Sequence, residues 1–203
     1  MRVVHRQPPG RGEHRTGWRG WASGLALPLI VAICSDSASA AGGTCGKPPE
    51  TIARFEATKE PQPAPSDVFT DESDAERTLA DYRGSGLIVN FWATWCAPCV
   101  KEMPALDRLA QHVKDDGIIV LALSADREGA PVVRKFYDKN DIDHLPVAID
   151  RISRLARQLK VSGLPTTVMF NAAGQEVGRV VGAVEWDAPA TVDFLRGCLA
   201  PAA

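Results

Sequence analysis

Apolar residues after residue 86 form two kinds of pattern, continuous runs and helical stripes. Three mainly apolar runs have the length of strands, and they lie at 87–92, where Asn90 is the one polar residue, at 118–123 and at 147–149. Three stripes with helical spacing follow these runs, and they lie at 100–114, 131–137 and 152–159. The run at 118–123 has no polar position, which is typical of a strand that is covered on both faces. The alternation of strand and helix predicts right-handed crossovers, and therefore an α/β fold with a mainly parallel sheet.

The end of the chain predicts a hairpin followed by a helix. Two further strand-like segments, 166–170 and 175–181, flank the turn sequence Asn171-Ala-Ala-Gly174. We therefore expect the sheet to end in an antiparallel hairpin. Two helices have an acidic residue as their predicted cap, Asp150 for the stripe at 152–159 and Asp187 for the last helix.

The first 40 residues have the composition of an export signal. Five arginines precede an apolar stretch at 21–34, and small residues at 38–40 follow it, as at a cleavage site. The stretch is shorter than the ~20 residues that span a bilayer, and Pro28 interrupts it. This pattern favours a cleaved signal peptide at 1–40 and a periplasmic protein, with an uncleaved inner-membrane anchor as the alternative.

Residues 41–65 separate this segment from the predicted core, and they contain five prolines. Such a composition is typical of a tether or an extended lead-in. We therefore predict a linker or lead-in at 41–65 and a single domain at 66–203.

The composition argues against several classes of partner. Hydrophobic residues make up 45% of the sequence, which is enough for one buried core, and the formal net charge is −2. A nearly neutral chain without an interleaved basic and aromatic patch gives no reason to expect a nucleic-acid partner. The sequence has no Gly-rich phosphate loop, and we expect no cofactor.

Cys96 and Cys99 follow the first predicted strand, with only Ala97 and Pro98 between them. Thiols at positions i and i+3 of a helix start share one face and close a disulfide with little backbone movement. The helix N-terminus also stabilises a thiolate on the first cysteine. A structural zinc site needs a second ligand pair that the sequence lacks, and a disulfide ring this small is a weak staple. The spacing therefore predicts a redox-active dithiol without a metal, in which Cys96 is the nucleophile and Cys99 the resolving thiol.

The segment from Phe91 to Cys99 and the following Lys101-Glu102-Met103-Pro104 resemble the active site of exported TlpA-like and ResA-like thiol-disulfide oxidoreductases. Gly163-Leu164-Pro165-Thr166-Thr167 resembles the cis-proline loop that faces the cysteines in that family, and Gly182–Trp186 is also TlpA-like. The resemblance extends over residues 78–199. It implies a thioredoxin-like domain with a mixed, mainly parallel sheet, flanking helices and a C-terminal antiparallel hairpin.

Three residues near the dithiol are predicted to bind substrate. Trp95 precedes Cys96, and we expect its indole to shape a docking surface, with a packing role as the alternative. The resemblance implies a cis bond before Pro165, whereas the sequence alone equally allows a trans proline at the start of a strand. With a cis bond, the backbone of Leu164 is expected to pair with an extended substrate segment by strand addition.

Glu102 is the predicted tuning group of the catalytic site. Cytoplasmic thioredoxins resemble this chain but have a buried aspartate at the position of Asn90, and an amide cannot titrate. Glu102 lies one helical turn after Cys99, and the resemblance to ResA-like proteins implies that a glutamate in this place tunes the thiols. The alternative is a solvated surface residue that pairs with Lys101 or Arg108.

The resemblance implies that the protein reduces protein disulfides, for cytochrome oxidase copper-site or c-type cytochrome maturation. The spacer Ala97-Pro98 has no histidine, unlike that of strong oxidants of this fold, which favours a reductant. Such a reductant needs a membrane electron donor of the DsbD or CcdA type. A disulfide oxidase or isomerase and a Cu(I)-binding metallochaperone are the alternatives. Cys45 and Cys198 form either a second disulfide or two unpaired thiols.

Overall fold

The computed structural model describes residues 45–201, so the predicted signal peptide or anchor at 1–40 lies outside the described residues. The strands of this part of the chain are β1 (Glu56–Ala57), β2 (Phe69–Asp71), β3 (Glu76–Arg77), β4 (Gly86–Trp92), β5 (Ile118–Ser124), β6 (Ala148–Ile149), β7 (Thr166–Phe170) and β8 (Glu176–Val181). Its α-helices are α1 (Ala97–Val113), α2 (Ala130–Lys139), α3 (Arg154–Gln158) and α4 (Pro189–Leu199). Short 3₁₀ helices lie at Glu50–Ile52, Leu79–Tyr82 and Lys114–Asp116. Every strand and helix predicted after residue 86 is present, with ends shifted by a few residues.

The strands form one sheet in the order β1-β8-β7-β4-β5-β6-β2-β3. The predicted C-terminal hairpin is confirmed, because β7 and β8 are antiparallel neighbours. The sheet is mixed, as predicted, but only the pairs β4–β5 and β5–β6 are parallel. The parallel part is therefore smaller than the alternation of strand and helix predicts. Helical crossovers link β4, β5 and β6, whereas the short strands β1, β2 and β3 add antiparallel pairs towards the two edges.

β4 is the centre of the core, and all of its residues are buried. Its side chains alternate between the two faces of the sheet. Ile88 and Trp92 pack in the cluster that includes α1, α2 and α4, whereas Val89 and Phe91 pack in the cluster that includes α3 and β2. Burial of an apolar side chain of this size contributes about 1.5–3 kcal/mol. Because β4 is covered on both faces, packing fixes the position of its C-terminal end, where the loop after Trp92 begins.

The start of α3 differs from the prediction. The helix begins at Arg154, and Ile152, predicted on its inner face, is 59% exposed. The backbone of Ser153 is left-handed, with a φ of 52°, so the helix cannot extend further towards the N-terminus. The predicted capping role of Asp150 is confirmed, because its carboxylate accepts hydrogen bonds from the backbone N–H groups of Arg154 (2.7 Å) and Ala156 (2.9 Å).

The start of α4 has no side-chain cap, so the prediction for Asp187 is wrong. Asp187 instead forms an ion pair with Arg108, with an N–O distance of 2.8 Å. The helix begins at Pro189, which has no backbone N–H and therefore leaves one donor fewer to be capped.

Residues 45–65, which belong to the predicted linker or lead-in, pack against the sheet and helices. Ile52 and Phe55 are buried in the larger hydrophobic cluster, and β1 pairs with the edge of β8. Cys45 forms a disulfide with Cys198 of α4. Of the two alternatives for these cysteines, a second disulfide or two unpaired thiols, the structure contains the disulfide. A disulfide that closes a long loop typically contributes about 2–4 kcal/mol, largely by restricting the unfolded chain. The lead-in is thus held at its first described residue and along its length.

Candidate active site

Cys96 and Cys99 lie at the junction of β4 and α1 and form a disulfide. Cys96 is the residue before the first helical residue, and Pro98 occupies the first turn, where a missing N–H costs little. Cys99 is fully buried, whereas Cys96 keeps 7% of its surface exposed. The positive end of the helix dipole stabilises a thiolate on Cys96. Cys96 is therefore the more exposed cysteine of the pair.

Asp126 fixes the loop that leads to Cys96. Its buried carboxylate accepts hydrogen bonds from the backbone N–H (2.9 Å) and the hydroxyl (2.7 Å) of Thr94, and from the hydroxyl of Ser124 (2.7 Å). Since β5 ends at Ser124, Asp126 joins this strand end to the cysteine loop. The residue was not predicted, although an acidic residue so close to the end of a buried strand was a usable signal.

Trp95 is 69% exposed, so its packing alternative is wrong. Trp95 and Leu164 line the same cleft, which has a volume of about 720 Å³. The bond between Leu164 and Pro165 is cis, as the resemblance implied. In the sheet, Thr166 is the partner of Phe91, so Pro165 lies at the edge where β4 ends and the cysteine loop begins. The structure thus brings the dithiol, the exposed indole and the cis-proline loop to one edge of the sheet.

Glu102 is buried, with 4% of its surface exposed, so its surface alternative is wrong. Its carboxylate accepts three hydrogen bonds, and the donors are Asn90 Nδ2 (2.9 Å), the Trp186 indole N–H (3.0 Å) and the Val184 backbone N–H (3.1 Å). Burial raises the pKa of the Glu102 carboxyl, while the three hydrogen bonds act in the opposite direction. Glu102 is therefore a desolvated carboxyl group one helical turn from Cys99.

Asn90 connects Glu102 to the strand that follows the cis proline. Its Nδ2 donates to Glu102 Oε1 and to Thr167 Oγ1, both at 2.9 Å. Its Oδ1 is buried and has no hydrogen-bond partner among residues 45–201. A single amide group therefore joins the middle of β4 to α1 and β7.

Trp186 belongs to the site but was not predicted as a site residue. It is fully buried, and its indole N–H binds Glu102. The TlpA-like segment Gly182–Trp186 was a signal for this loop, but nothing in its local pattern indicates that the loop reaches α1.

The buried dithiol at the N-terminus of α1, the cis-proline loop and the mixed sheet define a thiol-disulfide oxidoreductase with a thioredoxin fold. Residues 60–175 match the AhpC/TSA family, and the chain belongs to that family. The chain is 37% identical over 119 residues to the thiol-disulfide oxidoreductase ResA of a Bacillus cereus strain, which covers 59% of this chain and 68% of that protein. ResA of Bacillus subtilis (strain 168) is 33% identical over 127 residues, which covers 63% of this chain and 70% of that protein.

Solved structures share the same fold. A putative thiol:disulfide interchange protein DsbE from Chlorobium tepidum has a TM-score of 0.57 and 26% sequence identity, and the match covers 68% of this chain and 92% of that chain. The predicted thioredoxin fold and the predicted enzyme class are both confirmed by these likenesses.

Replacement of Asn90 by aspartate is expected to make stability strongly pH dependent. Asn90→Asp puts a second buried carboxyl group within hydrogen-bond distance of Glu102, and two such groups do not readily ionise together. Their raised pKa values mean that stability is highest when the pair holds its protons and falls as the pH rises towards those values. We expect a loss of roughly 2–4 kcal/mol between pH 4 and pH 8, relative to the unsubstituted chain, because each unit of raised pKa costs about 1.4 kcal/mol. Urea unfolding at the two pH values measures this loss.

The double variant Asn90→Asp/Glu102→Gln is the matched control, because it keeps one carboxyl group at the same place. Its loss of stability towards pH 8 should be clearly smaller than that of Asn90→Asp alone. An equal loss in both variants would contradict the assignment of the penalty to the pair of carboxyl groups.

Proposed function

We propose that the protein reduces disulfides of client proteins in the periplasm, through a catalytic dithiol formed by Cys96 and Cys99. The observation that carries this proposal is the position of the pair. Cys96 is the more exposed sulfur, it lies at a helix N-terminus, and the neighbouring Trp95 opens onto a cleft shared with Leu164. The likeness to ResA, a thiol-disulfide oxidoreductase by name, supports the reaction class.

The proposed reaction consists of two thiol-disulfide exchanges and needs no cofactor. The Cys96 thiolate attacks one sulfur of the client disulfide, so a bond forms between protein and client, and the other client sulfur leaves as a thiolate that takes up a proton. Cys99 then loses its proton and attacks the Cys96 sulfur, which releases the second client thiol. Two electrons and two protons have passed to the client, and the Cys96–Cys99 disulfide seen in this structure is the product.

Leu164 and Trp95 are proposed to bind the client. Among the described residues, no backbone group forms a hydrogen bond with the main chain of Leu164, so its N–H and C=O can pair with an extended client segment. The next residue, Pro165, has no backbone N–H, so the backbone N–H of Leu164 is the donor that can form a hydrogen bond with the client here. The exposed indole of Trp95 adds an apolar surface on the same cleft.

Glu102 is proposed to accept the proton of Cys99 in the second exchange. A catalytic base is most effective when its pKa lies near the working pH, and burial moves the pKa of Glu102 upwards in that direction. Glu102 also lines a second cavity, of about 630 Å³, which opens to solvent and offers the proton an exit.

The periplasmic location is proposed from the composition of residues 1–40, with a membrane tether as the alternative. The Cys45–Cys198 disulfide supports this location, because such bonds persist in oxidising compartments. Among residues 45–201 no helix has the length and hydrophobicity needed to cross a membrane.

The reducing direction is proposed from the spacer Ala97-Pro98, which offers no cation to favour the thiolate beyond the helix terminus. A reductant in an oxidising compartment must be re-reduced, so a membrane electron donor of the DsbD or CcdA type is the proposed partner. The resemblance to TlpA-like and ResA-like proteins supports cytochrome oxidase copper-site or c-type cytochrome maturation as the pathway.

Cys99→Ser is expected to trap client proteins on Cys96, because the mixed disulfide forms but cannot be resolved. Non-reducing electrophoresis after incubation of the reduced variant with disulfide-containing clients measures the trapped species. Cys96→Ser is the matched control, and we expect it to trap at least about tenfold less, because Cys99 is fully buried. Comparable trapping by the two variants would contradict the assigned roles.

Glu102→Gln is expected to slow the second exchange by roughly tenfold or more near neutral pH, because the proton of Cys99 loses its acceptor. In the unsubstituted protein this step should slow as the pH falls through the raised pKa of Glu102, and the variant should lack that ionisation. Stopped-flow measurement of mixed-disulfide resolution between pH 5 and pH 8 reports both effects. Glu185→Gln removes an exposed carboxylate that lines the same cavity and should leave the profile unchanged. Identical profiles for the protein and Glu102→Gln would remove Glu102 from the reaction.

The reduction potential of the Cys96–Cys99 pair is expected to lie closer to about −270 mV, as in thioredoxin, than to about −120 mV, as in DsbA. Equilibration with glutathione buffers, followed by alkylation and mass analysis of the peptide that contains Cys96, measures this pair separately from Cys45–Cys198. A potential near the DsbA value, together with rapid oxidation of reduced unfolded proteins, would contradict the proposed reductase and indicate a disulfide oxidase.

A further inference from the structure

The cleft next to the dithiol lies at the carboxyl ends of the parallel strands β4, β5 and β6. Loops that follow such strand ends form the usual binding crevice of an open α/β sheet. Much of the lining of this cleft is apolar and includes the side chains of Phe91, Leu123, Ala156 and Leu164. Its volume of about 720 Å³ is large enough for several side chains of a client segment.

The rim of this cleft carries exposed apolar surface. Trp95 and Ile152 are 69% and 59% exposed, and both line the cleft. Among residues 45–201, Val181 is the only other large apolar side chain with comparable exposure. Exposed apolar side chains gathered around an apolar groove are typical of a binding surface rather than of a solvated face.

Three arginines stand on the same rim. Arg127 follows β5, Arg151 follows β6 and Arg157 lies on α3, and all three are exposed and line the cleft. Arg157 also donates a hydrogen bond to the backbone carbonyl of Ile152, which holds its side chain at the rim. The formal net charge of the whole chain is −2, so this concentration of positive charge is local. Asp150 also lines the cleft, but its carboxylate is buried and already binds two backbone N–H groups of α3.

The guanidinium groups have few competing acidic partners. Arg127 forms no ion pair with any residue in the range 45–201. Arg151 has one distant partner, the exposed Asp74 at 3.9 Å. Gly129 leaves room for this arginine, since a side chain at that position would collide with the Arg151 guanidinium. A cation already held in place loses less freedom when it binds an anion.

We propose that this cleft selects client segments in which apolar residues and carboxylates flank the reactive cysteine. The apolar residues occupy the groove between Trp95 and Ile152, and the carboxylates pair with Arg127, Arg151 and Arg157. This inference rests on the proposed function and specifies the substrate class of the same site. A concave cleft of this volume beside a main chain free to pair favours a peptide segment over a flat anionic membrane surface.

Binding of short fluorescent peptides to the oxidised protein tests the inference without any chemical step. Each peptide has an apolar sequence with serine in place of the client cysteine, flanked by two glutamates, two glutamines or two lysines. We expect the glutamate peptide to bind about fivefold more tightly than the glutamine peptide, a modest factor because exposed charge pairs are weak. The lysine peptide should bind most weakly, and the preference should shrink at high salt.

The variant Arg127→Gln/Arg151→Gln/Arg157→Gln should bind the glutamate and glutamine peptides equally. Its matched control, Lys59→Gln/Arg83→Gln/Lys139→Gln, removes the same charge from exposed residues outside the cleft and should keep the preference. Three results would each overturn the inference. The first is equal binding of the three peptides by the unsubstituted protein, and the second is an equal loss of preference in both triple variants. The third is arginine-dependent binding of phosphatidylglycerol vesicles without any peptide preference. Failure to reduce the cystine form of the glutamine peptide would instead count against the proposed function. The ratio of the peptide affinities does not depend on disulfide reduction, so the two failures can be told apart.

Discussion

The side-chain amide of Asn90 is the interaction on which the geometry of the site depends. It lies in the fully buried strand β4 and donates hydrogen bonds to a carboxylate on α1 and to a hydroxyl on β7, both at 2.9 Å. β4 leads into the cysteine loop, α1 contains Cys99, and β7 follows the cis proline. A shift of any of these elements would leave a buried polar group without its partner, at a cost of about 1–3 kcal/mol. The dithiol and the loop proposed to bind the client are therefore held in register by one buried group.

The two cysteines of the pair have different surroundings. Cys96 meets the positive end of the α1 dipole and some solvent, and both favour the thiolate. Cys99 is fully buried and lies one helical turn from the buried Glu102. In the proposed reaction Cys99 is the resolving thiol, and Glu102 accepts its proton. Because Asn90 is an amide, it supports the Glu102 carboxylate without adding another charge to the site.

Neighbouring residues were sufficient to predict much of the fold and the dithiol, because a buried strand, a helical stripe and a pair of thiols are all local patterns. Two hydrogen-bond partners of Glu102 could not be predicted from local patterns, because Val184 and Trp186 are 82 and 84 residues away from it in sequence. The strands β1 and β3 have two residues each, which is too short for any periodicity to be visible. Ile152 fits the helical spacing of α3, but the left-handed backbone of Ser153 takes it out of the helix and leaves it exposed.

The cavity that Glu102 lines also includes residues of the segment that was predicted to be a linker or lead-in. Thr51 and Ala53 of the lead-in line the same cavity as Glu102, opposite α1 and the loop that contains Val184. The lead-in is held there by buried Ile52, by a hydrogen bond between the hydroxyls of Thr51 and Thr191 (2.8 Å), and by the Cys45–Cys198 disulfide. Removal of the lead-in would expose the Glu102 carboxyl to more water, and better solvation would return its pKa towards the ordinary value. The Cys45–Cys198 disulfide therefore holds in place a segment that lines the same cavity as Glu102.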